Sequence, residues 1–135
     1  MALEKTTGYM NGADFAKEVI AGLKNAGIDR AKALPLSFYL YLPNRKAAGT
    51  CAPILVKEGL EVEIDRSASN DGKWLCLCHA TIEPKQKDLA RIGQTMINLA
   101  QKFEGEFDGW ETNPFKMQGG IEDMLGDILK KLGTN

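Results

Sequence analysis

The sequence predicts an α+β domain with a ferredoxin-like βαββαβ core, in which two helices cover one face of a four-stranded antiparallel sheet. From residue 37 to residue 111 the hydrophobic pattern follows the order strand, helix, strand, strand, helix, strand. The chain has 135 residues and is 44% hydrophobic, which is enough for a packed core without disulfides. Two split βαβ units in this order predict the spatial strand order 4-1-3-2.

An amphipathic helix is predicted in the N-terminal segment, residues 1–36. Apolar residues recur at helical spacing from Ala13 to Ala26. Asn11 or Asp14 can cap this helix, and Gly27 can end it. We expect the helix to precede the core domain, which spans residues 37–111.

The core begins with an aromatic-rich strand, Ser37 to Leu42, followed by a helix from Asn44 to Glu58. This helix contains Gly49 and Pro53. In a helix interior, Gly costs roughly 1 kcal/mol and Pro about 3 kcal/mol relative to Ala. The sequence therefore predicts a kink or an irregular first half.

A hairpin is predicted next. Residues 60–65 alternate between apolar and acidic side chains, as in a strand with one buried face and one solvated face. Residues 67–72 supply the Ser, Asn, Asp and Gly of a loop. The second strand, Trp74 to Ala80, is apolar on both sides, so the pattern does not determine which of its faces is buried.

The clearest helical pattern runs from Lys87 to Phe103 and ends at Gly105. A short last strand, Glu106 to Trp110, completes the core. Residues 112–135 form a linker and a C-terminal amphipathic helix, Ile121 to Leu132. Docking on its own domain and self-association are both open to that helix.

These elements assign a set of apolar side chains to the helix-covered face of the sheet and to the helices that cover it. They are Phe38, Leu40, Val62, Ile64, Leu89, Ile92, Met96, Leu99, Phe103 and Phe107.

The composition indicates the cellular compartment and the classes of binding partner to expect. Seventeen Lys and Arg against 18 Asp and Glu give a net charge of −1, so no long-range field attracts nucleic acid or an anionic membrane. Cys51, Cys76 and Cys78 are an odd, sparse set that indicates reduced thiols. The first ten residues lack the apolar run of a signal peptide. We expect a cytoplasmic protein without a membrane segment.

Catalytic or metal-binding residues are not recognisable. The only histidine, His79, lies within the most apolar strand, and no phosphate-binding loop is present. Cys76 and Cys78 point to one face of their strand and His79 to the other, which disfavours a shared metal ion. We expect no enzyme activity, no metal and no cofactor.

The acidic side chains of the strands suggest a binding surface. Glu61 and Glu63 on one strand, and Glu106 and Asp108 on another, should lie on the sheet face away from the helices. RNA-recognition domains use that face with aromatic and basic residues, and carboxylates here would repel phosphate. A protein partner held by aromatic side chains with acids around them fits better. The candidate partner-binding residues are Tyr39, Tyr41, Glu61, Glu63, Glu106, Asp108 and Trp110.

Three alternatives remain at this stage. The same face could be merely solvated, or it could bind a nucleotide or another small ligand. The chain could instead be a structural subunit that forms a homodimer through its terminal helices. A ligand site needs a pocket of a few hundred cubic ångströms, whereas a dimer needs an interface of about 1,000 Å² or more.

One segment, Leu99 to Glu111, closely resembles the end of the core domain in the regulator of ribonuclease activity B family, the bacterial ribonuclease E inhibitors. The aromatic-Asp-Gly-Trp ending, Phe107 to Trp110, is its most specific part. Further likeness lies in three short segments. They are Phe38 to Arg45, Gly59 to Glu63, and Lys73 to Leu75.

The resemblance implies a ferredoxin-like domain that inhibits a ribonuclease by binding it and thereby alters RNA decay. Family members are strongly acidic, especially in the C-terminal tail. This chain has a net charge of −1 and carries Lys130 and Lys131 in its last predicted helix.

Overall fold

The computed structural model describes residues 9–69 and 71–112. The predicted linker and the helix Ile121 to Leu132 lie outside the described residues. The elements are α1 (Gly12–Asn25), β1 (Leu34–Leu42), α2 (Arg45–Lys57), β2 (Glu61–Arg66), β3 (Trp74–Ile82), α3 (Gln86–Lys102) and β4 (Glu106–Thr112).

The four strands form one antiparallel sheet in the order β2-β3-β1-β4. Read from the other edge, this is the predicted order 4-1-3-2. Helix α2 packs on β1, β2 and β3, helix α3 packs on β1 and β4, and α1 packs on α3. Over the described residues the fold is therefore α+β with three helices, one more than a βαββαβ unit contains. None of the described helices has the length and apolar character needed to cross a membrane.

Helix α1 confirms the predicted N-terminal helix. The Asn11 side-chain oxygen accepts a hydrogen bond from the Asp14 main-chain N–H at 2.9 Å, so Asn11 is the cap. Phe15 is fully buried, with its ring centre 5.0 Å from that of Phe107 and 6.0 Å from that of Phe38. Helix α1 thus shares the core of the sheet.

The expected irregular first half of the second helix is wrong, because α2 is one continuous helix from Arg45 to Lys57 with Pro53 inside it. The kink expected at Pro53 stays a prediction. Pro53 and Gly49, the residue four positions earlier, are both exposed. The Gly49 carbonyl that loses its intrahelical donor can therefore bond water, and the buried side of the helix is undisturbed.

Strand β1 begins at Leu34, three residues before its predicted start. Pro35 pairs with Thr81 on β3, but the pairing with β4 begins only at Leu36. The missing N–H of proline is tolerated here because β1 has one neighbouring strand at this point. The Pro35 carbonyl accepts a hydrogen bond from the Thr112 hydroxyl at 2.7 Å.

The inner face of β3 is the cysteine face: Cys76 and Cys78 are fully buried, as is Cys51 on α2. Burial raises the pKa of Cys51 to about 11 and that of Cys76 to about 12. All three cysteines are free. They act as small apolar side chains of the core.

Most of the predicted apolar face is confirmed, with three exceptions. Ile64 is 41% exposed, so its predicted burial is wrong. It occupies β2, which is an edge strand of the sheet that the described residues form. Val62 is only partly buried for the same reason, and Phe103 is partly buried because it caps the end of α3.

Close packing of α1 against α3 predicts opposite effects for two helical glycines. A Cβ at Gly93 would lie 2.5 Å from the buried Phe15 ring, whereas a Cβ at Gly49 would meet nothing within 4 Å. We expect Gly93→Ala to lower the free energy of unfolding by about 1–3 kcal/mol. The control Gly49→Ala should leave it unchanged or raise it by up to about 1 kcal/mol. Urea denaturation of both variants tests this; a stabilised Gly93→Ala protein would contradict the packing.

Candidate partner-binding face

All three helices pack on the same side of the sheet, and we call the other side the open face. Alternation along each strand determines which residues lie there. Leu36, Phe38 and Leu40 are buried towards the helices, so Tyr39 and Tyr41 point the other way. The open face comprises Ser37, Tyr39, Tyr41, Glu61, Glu63, Asp65, Leu75, Leu77, His79, Thr81, Glu106 and Glu111.

The centre of the open face is apolar. Tyr39 is paired with Leu77, and Tyr41 with Leu75, across the two central strands. All four side chains are partly exposed. We call these four residues the central patch.

Carboxylates flank the central patch on both sides. Glu61, Glu63 and Asp65 on the edge strand β2 are exposed. On the β4 side lie Glu106, Asp108 and Glu111. The structure therefore brings together six of the seven predicted site residues, namely Tyr39, Tyr41, Glu61, Glu63, Glu106 and Asp108.

Trp110 does not join them, because β4 contains a bulge. The pairing with β1 shifts between Tyr39 and Leu40, where Gly109 adopts a φ of +107° and Asp108 is the extra residue. The sequence analysis did not anticipate this change in the alternation. One extra residue moves Trp110 opposite Phe38, on the helix side.

On the helix side Trp110 packs against α1. A Cβ at Gly22 would lie 2.7 Å from the Trp110 ring, so only glycine fits beneath it. The indole N–H donates to Glu18 at 3.2 Å, and the Tyr9 hydroxyl donates to the same carboxylate oxygen at 2.6 Å. Trp110 thereby holds β4 to α1.

A hydrogen-bonded chain crosses three strands of the open face. The Ser37 hydroxyl lies 2.9 Å from Nδ1 of His79, and Nε2 of His79 lies 2.7 Å from Glu63. A carboxylate only accepts, so Nε2 donates to Glu63, and a neutral imidazole then accepts from Ser37. The sequence analysis did not predict these two contacts of His79.

The order hydroxyl, imidazole and carboxylate resembles a hydrolytic triad, but its surroundings differ. Ser37 is 9% exposed and lies in a central strand, between His79 on β3 and Glu111 on β4. The main-chain N–H groups there belong to the sheet ladders, so no pair of free donors faces the hydroxyl in the described part of the chain. The chain of hydrogen bonds instead fixes Glu63 and His79 in place.

One corner of the open face is a polar cavity of about 210 Å³. Lys73 Nζ and Glu106 Oε1 form an ion pair at 2.6 Å there. This bond raises the pKa of Lys73, and the Lys73 main-chain N–H lowers the pKa of Asp71. The β2–β3 hairpin is thus tied to β4 across the end of β1. Tyr41, Ser67, Ser69 and Asp108 complete the lining.

Tyr39 donates a hydrogen bond to Glu111. This bond, together with burial, raises the pKa of Tyr39 to about 12. The phenol therefore remains neutral throughout the physiological range, and its ring lies over the sheet with its hydroxyl towards the β4 carboxylates. Tyr39 is an aromatic side chain of fixed orientation, the kind that contributes most at protein interfaces.

Sequence reasoning missed Ser37, Leu75, Leu77, His79 and Glu111 as members of this face. Three of them could have been assigned by deciding which face of β3 is buried. Cysteine is among the most buried residue types, so choosing the cysteine face as the inner one would have placed Leu75, Leu77 and His79 outside. Within residues 9–69 and 71–112, no group of three or more His, Cys, Asp and Glu could hold a metal ion.

The position of Trp110 predicts a structural role. Replacing it by Ala removes the contact with Gly22 and the hydrogen bond to Glu18, so we expect a loss of about 2–4 kcal/mol in unfolding free energy. Trp110→Phe, which keeps most of the apolar area, should cost less. Chemical denaturation followed by circular dichroism measures both. Unchanged stability of Trp110→Ala would contradict this role and return Trp110 to the list of partner contacts.

The comparisons agree with the resemblance noted from the sequence. No curated protein matches the chain. A family model described as "Regulator of ribonuclease activity B" matches residues 13–112, from the start of α1 to the last residue of β4. The match covers the whole sheet and all three helices described above. The chain belongs to the regulator of ribonuclease activity B family.

Proposed function

We propose that this protein is a non-catalytic regulator that binds a ribonuclease through the open face of its sheet. The contacting residues are Tyr39 and Tyr41 in the central patch, with Glu61, Glu63, Glu106 and Asp108 around them. In this proposal the protein acts in the cytoplasm on RNA decay, and it contacts the enzyme rather than the RNA.

The observation that carries the proposal is the arrangement of the open face. Four partly exposed apolar or aromatic side chains lie at its centre, and carboxylates lie on both sides. Protein interfaces commonly have an apolar centre with aromatic residues and a polar rim. Family membership supports a ribonuclease as the partner.

The charges of the face support a basic protein surface as the target. Six carboxylates lie on or beside it, and Lys73, the lysine that lines the corner cavity, is already paired with Glu106. RNA phosphates would be repelled by this face, whereas lysine and arginine side chains of a protein would be attracted. The attraction should weaken as salt screens it.

Charge reversal at the β2 side of the face tests the proposal. Glu61→Lys combined with Glu63→Lys should weaken binding to a ribonuclease E-type enzyme about tenfold or more and should remove most of the salt dependence. The control, Asp29→Lys with Glu104→Lys, makes the same change of charge at exposed positions outside the open face.

Binding is measured by titration calorimetry at several salt concentrations, together with inhibition of RNA cleavage. Capture of the ribonuclease from native cell extract by the tagged full chain is the companion experiment. Equal loss of affinity in the control and test variants would mean that net charge alone matters. Unchanged affinity and salt dependence in the test variant would mean that the acids of the open face are merely solvated.

A further inference from the structure

The two edges of the sheet differ. Strand β4 at one edge is interrupted by the bulge at Asp108 and Gly109. Strand β2 at the other edge, Glu61–Arg66, pairs with β3 over its whole length without a shift in register. Bulges protect an edge against further pairing, whereas a regular edge strand is a template for it.

The outward main-chain groups of β2 lack partners among the described residues. Half of the N–H and C=O groups of an edge strand point away from its only neighbour. Outside the β2–β3 ladder, no main-chain hydrogen bond of Glu61 to Asp65 occurs in the part of the chain that the structure describes. Only the Arg66 N–H is bonded otherwise, to the Asp65 side chain at 2.8 Å.

The side chains of β2 indicate what an added strand would carry. Glu61, Glu63 and Asp65 project on the open face, and Val62 and Ile64 project on the helix side, where Ile64 is 41% exposed. A strand placed beside β2 would bring its own alternate residues next to these two sets. Basic residues fit beside the acids, and apolar residues fit beside Val62 and Ile64.

A second copy of the chain does not satisfy this requirement. Pairing two β2 strands would set the acids of one copy beside the acids of the other on the open face. Like charges directly opposite each other destabilise a strand pair. The acidic residues thus disfavour self-association at this edge while leaving it available to a strand of opposite charge.

We propose that β2 binds an extended segment of the partner protein, in which basic and apolar residues alternate, as a fifth strand of the sheet. This inference rests on the proposed function. It specifies which side chains the partner carries where it pairs with β2, at one edge of the open face. Main-chain hydrogen bonds supply the affinity, and the alternation of charge and apolar contact supplies the specificity.

The probe is a short, fluorescently labelled peptide in which lysine and valine alternate, titrated into the full chain by anisotropy. Two matched peptides isolate the mechanism: one has the same composition with lysines and valines in separate blocks, and one is methylated at its main-chain nitrogens. We expect each to bind roughly tenfold more weakly than the alternating peptide. Hydrogen exchange should slow, when the alternating peptide binds, at those amides of Glu61 to Asp65 that point away from β3.

Variants of the protein give an independent readout. Ile64→Thr retains a strand-forming residue but removes apolar contact, so the alternating peptide should bind it several-fold more weakly. Met10→Thr, at a residue 85% exposed and outside the sheet, should bind the peptide like the native chain.

Equal binding of the three peptides would overturn strand addition, because charge attraction alone would then explain it. If the three peptides bound equally while Glu61→Lys with Glu63→Lys abolished ribonuclease binding, strand addition would be wrong and the proposed function would stand. Slow exchange, in the free protein, of the β2 amides that point away from β3 would also overturn it, since another strand, from a second copy or from residues 113–135, would already cover the edge.

Discussion

The one-sided covering of the sheet is the constraint on which the rest of the structure depends. Helices α1, α2 and α3 bury a single face, so the side chains along each strand alternate between the core and the open face with a period of two. Phe38, Leu40, Cys76 and Cys78 lie fully buried on that face. The same alternation puts Tyr39, Tyr41 and the carboxylates on the other face, so the core and the candidate site follow from one pattern.

The bulge in β4 is a local exception to this alternation. If β4 alternated regularly without the bulge, Trp110 would lie on the open face with Glu106 and Asp108. With the bulge, the indole lies against Gly22 and bonds Glu18, and Glu111 takes a place on the open face, where it accepts from Tyr39. The bulge thus exchanges the faces of the residues that follow it. This joins β4 to α1 through Trp110 and puts the Glu111 carboxylate beside the Tyr39 ring.

Much of this could be predicted from the sequence because the strongest signals are periodic. The alternation of residues 60–65 and the helical spacing of residues 87–103 predicted β2 and α3 within a few residues, and the strand order followed from connectivity. Period alone could not orient β3, since both of its faces are apolar. Helix propensity overstated the disruption by Pro53, which lies on the solvent side of α2. Alternation failed at the bulge, which places Trp110 on the helix side of the sheet.

The site was harder to predict than the fold because it depends on contacts between strands far apart in sequence. Ser37, His79 and Glu63 come from three strands, and neither the spacing nor the type of these residues indicates that they meet. Tyr39 and Glu111 are likewise brought together only by the β1–β4 register. A pattern along one strand can give the face of a residue but not its neighbours across the sheet.

The central claim, that the partner contacts the open face, is tested most directly by mapping the contact on the intact protein. Methyl and amide chemical shifts of the full chain are compared with and without the ribonuclease. The account predicts changes at the methyl groups of Leu75 and Leu77 and at the amides of β1 and β3, with none at the exposed side of α1. Changes confined to the helices, with the methyl groups of Leu75 and Leu77 unaffected, would contradict it.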